Sequence, residues 1–325
     1  MRMSMLTCKQ IAPSLSIPDG RQVLPFLRSS RPPKEKVVVV MGATGTGKSK
    51  LSIDLATRFS GEVVNSDKMQ VYEGLDIITN KITEEEACDV PHHLLGIIDP
   101  NVDFTSTNFC SMASLAIRSI AGRRKLPIIV GGSNSFIEAL VDDETHEFRS
   151  RYECCFLWVD VSMPVLHRFV SERVDRMVEN GMVDEARQMF SLDADYSKGV
   201  TKAIGLPEFD QYFRVEPYVD LETRAKLCQE AIDEVKNNTC KLACRQLEKI
   251  YRLRNNKGWK VHRLDATDAF LKNGKESDKA WNELVAAPSM VILSRFLNNF
   301  GPNIYMNPTT VRGTAMETAM VTATH

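Results

Sequence analysis

The chain has 325 residues, 43% of them hydrophobic and 26% charged, with 41 basic and 42 acidic side chains. That is ample apolar material for a sizeable core with room for a second small domain, and no apolar run approaches the roughly twenty residues of a membrane span. The balance is uneven: residues 1–36 carry seven basic side chains against Asp19 and Glu35, leaving 34 basic and 40 acidic residues, net −6, a field unsuited to gripping long nucleic acid.

The basic, serine-containing, acid-poor start predicts a disordered leader over residues 1–35 with the composition of an organelle transit peptide. Four valines, Val37 to Val40, follow as a strand suited to burial on both faces. They lead into MGATGTGKS, residues 41–49, which fits G-x-x-x-x-G-K-[ST]. Gly42, Gly45 and Gly47 permit a tight turn whose amides, that of Thr46 included, converge on anionic oxygens. Lys48 adds a point charge and Ser49 a hydroxyl suited to Mg²⁺, and KSKLSIDLATRF supplies a helix whose N-terminus favours anions. A phosphate site follows from this loop. A reaction does not.

Strand-like and helix-like runs then alternate. GEVVNSDKMQVY is a short strand ending in polar residues, residues 73–99 are mixed, and TSTNFCSMASLAIRSIAGR is helical. KLPIIVGGS and CCFLWVDVS read as buried strands. The alternation predicts an α/β fold, a P-loop NTPase-like parallel sheet flanked by helices. Ligands of such sheets gather at the carboxyl ends of the strands, which places Thr44, Asp67 and Ser133 at one crevice. From about Pro164 to Arg254 the chain is helical, with a break at Gly181, before KGWKVHRLDAT returns as a final strand. The expected organisation is a core over 36–165 and 255–298, a helical insertion over about 166–254, and a disordered tail over 299–325. Eight scattered cysteines without a C-x-x-C read as reduced, buried residues, and no metal is expected at Cys240 and Cys244.

Asp67, leaving a strand end beside the phosphate loop, is a candidate general base or an acceptor for a substrate N–H or O–H; a turn-capping carboxylate would look the same. Small-molecule kinases can place an acid there too. The longer string decides. GATGTGKS, NSDKMQVY, PHHLLGIIDP, LPIIVGGSNSFI, RVDRMVENGMVDEAR, TKAIGLPEF and RQLEKIYRLR resemble, in order, the motifs of the isopentenyltransferase family, which prenylates N6 of adenine. The resemblance covers residues 36–265. It implies that the loop (Gly42, Gly45, Thr46, Gly47, Lys48, Ser49) holds the diphosphate of dimethylallyl diphosphate with Mg²⁺ on Ser49. It also implies Asp67 as base, Thr44 and Ser133 as hydroxyls near the bridging oxygen, and Arg173 as the leaving-group arginine. His92 and His93 read as loop or core residues without a catalytic role.

Two branches of that family use tRNA adenine or free adenine nucleotides. Lys68, GGSNSF in place of the tRNA-type GGTGLY, the missing C-terminal zinc finger and the acidic remainder resemble the plant adenylate enzymes that begin cytokinin synthesis. The expected acceptors are ADP and ATP ahead of AMP, with Lys198, Lys202, Arg224, Lys226 and Arg245 as candidate cations for acceptor phosphates. No tRNA or membrane partner is expected, the protein is expected to be a monomer, and the leader implies a plastid, with the cytoplasm as alternative. A tRNA dimethylallyltransferase, a P-loop small-molecule kinase and a catalytically silent nucleotide-binding protein are the competing readings.

Overall fold

The computed structural model describes residues 34–143 and 147–298. The expected leader, apart from Lys34 and Glu35, lies outside the described residues, as do the expected tail and Cys8. The first strand, β1 (Glu35–Met41), begins one residue inside the expected leader. Val37 to Val40 are fully buried. Alternate valines face opposite layers, Val37 and Val39 one core cluster and Val38 and Val40 the other, as a strand covered on both sides must.

In chain order there follow α1 (Lys48–Phe59), β2 (Gly61–Asn65), the short α2 (Glu84–Ala87), β3 (His92–His93), α3 (Ser106–Gly122) and β4 (Leu126–Val130). Next come α4 (Asn134–Val141), α5 (Glu147–Arg151) and β5 (Tyr152–Asp160). The strands form one parallel sheet in the order β3-β2-β4-β1-β5, completed at the far edge by β6 (Val261–Asp265). The α/β expectation holds. The pair His92–His93 was too short to leave a period-two pattern, so β3 stayed hidden in the mixed segment.

Between β5 and β6 run α6 (Met163–Glu179), α7 (Met182–Met189), α8 (Asp210–Val215) and α9 (Leu221–Asn255). Pro164 sits in the first turn of α6, where its missing N–H costs nothing, and Gly181 at φ 97° separates α6 from α7. Residues 190–220 are less regular than expected, with 3₁₀ turns at Gly199–Lys202, Pro207–Phe209 and Glu216–Tyr218. Helix α9 has 35 residues, so at 1.5 Å each it is about 50 Å long. After β6, α10 (Thr267–Leu271), α11 (Gly274–Trp281), a π turn (Asn282–Ala286) and α12 (Ala287–Leu297) complete the layer shared with α1. Cys154 and Cys155 lie in β5, where burial pushes both thiols up to about 12; Cys88, by contrast, is exposed rather than buried.

Candidate active site

The phosphate loop joins β1 to α1, and its backbone turns at Gly45 and Gly47 with φ of 83° and 88°, a region that L side chains avoid. Lys48 curls back so that Nζ donates to the Ala43 carbonyl at 2.7 Å. Its ammonium is thereby buried, and desolvation lowers its pKa to about 8, with the Asp67 charge opposing and the Arg173 charge adding to the fall. Thr46 braces the turn from within, its Oγ1 donating to Ala43 O at 3.0 Å. Gly42 lies beneath, where a Cβ would stand 2.6 Å from both Thr46 Oγ1 and Val159 O. Both shape the loop without lining the cavity, whereas Gly45, Gly47, Lys48 and Ser49 line it.

A second buried cation comes from α6. Arg173 Nη2 donates to Thr44 Oγ1 at 3.1 Å, and its Nε is buried without a partner. Burial, with Arg176 nearby, lowers its pKa to about 10, while Asp67 opposes the change. Two desolvated cations and an unmet buried donor around one loop describe a place that an anion would complete.

Asp67 stands at the end of β2. Asn65 Oδ1 accepts its N–H at 3.0 Å, and its own Oδ1 accepts the Met69 N–H at 3.0 Å, so one carboxylate oxygen fixes the turn. Its Oδ2 faces Gly132, where an added Cβ would sit 3.3 Å away. Gly131 is equally close-packed: a Cβ there would stand 2.4 Å from the Ser66 carbonyl carbon. Ser133 behaves differently from expectation. It is not among the residues lining the cavity, and its Oγ accepts the Lys68 N–H at 2.9 Å, holding the Asp67–Lys68 turn.

These groups open on a cavity of about 880 Å³ at the carboxyl ends of the strands, with Thr44 and Asp67 on its wall. Beside the loop, the wall continues with Arg168, Phe169, Glu172 and Arg176 of α6 and with Phe270, Leu271 and Lys272 after β6. Phe169 and Phe270 meet edge-to-face at 4.7 Å. Trp281 closes the side behind the loop, its Cη2 2.6 Å from where a Gly47 Cβ would lie, and its Nε1 donates to Asp54 at 3.2 Å. His92 also lines the cavity; its Nδ1 donates to Val90 O at 2.7 Å and burial lowers its pKa.

None of the five expected acceptor-phosphate cations lines this cavity. Lys198 pairs with Asp195 at 3.4 Å and Lys226 with Glu230 at 3.8 Å, both at exposed positions. Arg245 Nε donates to Lys241 O along its own helix, and Arg224 Nη2 donates to Glu216 O at 3.0 Å. Lys202 alone stays close. It pairs with Asp103 at 3.4 Å, and its charge, after burial, helps to lower the pKa of Lys68, the neighbour of Asp67.

Sequence reasoning missed Arg168, Arg176, Lys272, Trp281 and Gln246. For Gln246 a signal existed: it shares a three-to-four spacing with the buried Ala243, Ile250 and Leu253, a polar amide at a core-facing position. Its Oε1 accepts the Thr44 N–H at 2.7 Å and its Nε2 donates to Gly132 O at 3.0 Å.

The family profile described as IPP transferase matches residues 70–151 and 142–252. The chain is 57% identical to adenylate isopentenyltransferase 3, chloroplastic, of Arabidopsis thaliana, over 91% of this chain and 90% of the relative. It is 54% identical to adenylate isopentenyltransferase 5, chloroplastic, of the same plant, over 92% and 90%. A solved eukaryotic dimethylallyltransferase acting on tRNA superposes with a TM-score of 0.69 at 26% identity, covering 82% of this chain and 80% of the other. With a phosphate loop, two buried cations and a carboxylate on one cavity, and with matches of this extent, the chain belongs to the IPP transferase family.

Proposed function

We propose that the protein moves the dimethylallyl group of dimethylallyl diphosphate to N6 of the adenine of ADP or ATP, with AMP a poorer acceptor, and releases pyrophosphate, the first committed step toward a cytokinin. The observation that carries the reading is the joining of donor and base sides through Thr44: Arg173 holds its hydroxyl, and Asp67 lines the same cavity. The adenine amine is a poor nucleophile because its lone pair is delocalised into the ring. Asp67 accepts its proton as the new C–N bond forms, while Lys48, the loop amides and Arg173 meet the charge that develops on the leaving diphosphate. Identity of 57% to an adenylate isopentenyltransferase supports the choice of a free nucleotide over tRNA.

Among the described residues no group of three or more His, Cys, Asp or Glu side chains could hold a metal by itself. The Ser49 hydroxyl on the cavity wall suits Mg²⁺, which keeps several waters and binds largely through substrate phosphates. Bound between Ser49 and the donor, the ion would neutralise part of the diphosphate charge. No helix of the described residues is long and apolar enough to cross a membrane. The basic leader, together with relatives named chloroplastic, supports delivery to plastids. A fluorescent fusion of residues 1–33 should enter plastids, and a mitochondrial or cytosolic pattern overturns the address.

One assay tests the activity. Purified protein with dimethylallyl diphosphate and Mg²⁺ is offered AMP, ADP, ATP and unmodified tRNA, and products are resolved by mass. A dimethylallyl adduct on ADP and ATP is expected. Modification of tRNA alone, or transfer of a γ-phosphate, overturns the reading.

A further inference from the structure

Gln246 is 7% exposed, on the core-facing side of α9, and its amide is used at both ends. Oε1 takes the Thr44 N–H of the phosphate loop, and Nε2 reaches Gly132 O in the loop after β4. Its backbone carbonyl accepts Asn134 Nδ2 at 3.1 Å, tying the start of α4 to the same point. A Cβ at Gly132 would stand 2.3 Å from Nε2 and 3.3 Å from Asp67 Oδ2, so the Gly132 backbone is sandwiched between the amide and the carboxylate. One side chain therefore spans the donor loop and the ledge on which Asp67 rests. Thr44, which it grips through the backbone, is also the residue that Arg173 grips through the hydroxyl.

We propose that Gln246 is a positioning residue that holds the phosphate loop and the Gly131–Gly132 ledge at one separation, and so sets the distance from the leaving group to Asp67. The inference rests on the proposed function, because it is the transfer reaction that needs those two centres in register. The amide suits the task because it donates at one end and accepts at the other. A carboxylate of the same shape can accept the Thr44 N–H but, when ionised, meets Gly132 O lone pair to lone pair. Protonated, it donates there as the amide does. Misplacement by about 1 Å can cost on the order of 10²-fold in rate while leaving substrate affinity nearly intact.

The charged groups around this point are Asp67 after β2, Lys48 at the start of α1, Arg173 on α6 and Arg245 on α9 itself. The readout is the ratio of variant to wild type at each pH, which divides out the pH dependence that the wild type itself shows.

The test measures kcat and both KM values for wild type, Gln246→Glu and Gln246→Leu from about pH 5.5 to 8.5, with thermal melts of each. At pH 8 both variants should lose roughly 10²-fold in kcat, with the donor KM moving less than about threefold. Toward pH 5.5 the Gln246→Glu deficit should shrink about tenfold or more, while the Gln246→Leu deficit stays constant. A folded Gln246→Leu protein with near-wild-type kcat overturns the proposal, even if Gln246→Glu fails to fold. So does a Gln246→Glu ratio that is flat with pH, or a loss confined to KM. Product formation by wild type tests the proposed function separately, so the two failures are distinguishable.

Discussion

Lys48 and Asp67 divide the chemistry of the cavity between a buried cation and a carboxylate. Because burial holds Lys48 at about 8, the free protein leaves it largely neutral at pH 9, whereas an unfolded lysine keeps its proton to about 10.5. A bound diphosphate favours the charged form, so donor binding should take up a proton. Uptake should approach one proton per donor near pH 9 and vanish well below pH 8, where Lys48 is already charged. Calorimetry of dimethylallyl diphosphate without acceptor, in buffers of different ionisation heat, measures this directly. Lys48→Arg should bind without uptake; uptake unchanged in that variant would remove Lys48 from the donor site. Asp67→Asn should keep donor affinity and lower kcat by roughly 10²-fold, the scale of a lost general base. Turnover near wild type in Asp67→Asn would rule out that role.

The elements after β6 bear on the donor side more than their place late in the chain suggests. Trp281, 6% exposed, packs behind Gly47, donates to Asp54 and lies under Lys50, whose Nζ is 5.5 Å from the ring centroid. Trp281→Ala should destabilise the protein by about 3–5 kcal/mol through the cavity it leaves, and should raise the donor KM as the loop loses its backing. Trp281→Phe should restore most of both in melts and steady-state kinetics. An unchanged donor KM in a folded Trp281→Ala protein would separate the tryptophan from the loop. None of this was legible in the sequence, and the reason is physical. The phosphate loop is local, so its spacing fixed its conformation, and Val37 to Val40 carried their burial in their own side chains. Trp281, Arg168, Arg176 and Lys272 reach the cavity only because α6, α10 and α11 converge there, and a helix-face residue states no destination by itself. Lys198 and Lys226 fail in the converse way, their charges spent on Asp195, three residues earlier in an irregular segment, and on Glu230, one helical turn along α9.

Taken whole, a chain of net negative charge beyond its leader carries a net positive cavity. Beyond residue 36 the chain carries a net charge of −6, yet Lys48, Lys50, Arg168, Arg173, Arg176 and Lys272 line the cavity against Asp67, Glu86 and Glu172. A cleft of net positive charge focuses attraction on small anions, while a net negative chain repels a polyanion long enough to lie across it. If, as proposed, the donor diphosphate sits in the loop and adenine at Asp67, the acceptor phosphates would extend past Asp67, away from Lys48. Lys68, next to Asp67 in the chain, and Lys202, paired with Asp103 at 3.4 Å, are close enough for each charge to act on the other, although neither lines the cavity. Lys202 is about one-third exposed, at 33%, so solvent weakens its contact, and Lys202→Ala should raise KM for ATP by roughly two- to fivefold. KM for AMP should stay within error, because AMP lacks the outer phosphates. Lys226→Ala, its side chain 75% exposed and paired with Glu230, should change neither. Steady-state kinetics with ATP, ADP and AMP on the two variants decide the matter. Equal losses on all three nucleotides in Lys202→Ala would assign Lys202 to the adenosine or to the fold. A selective ATP loss in Lys226→Ala would move the phosphates to the far end of α9, toward the exposed cations first expected to hold them.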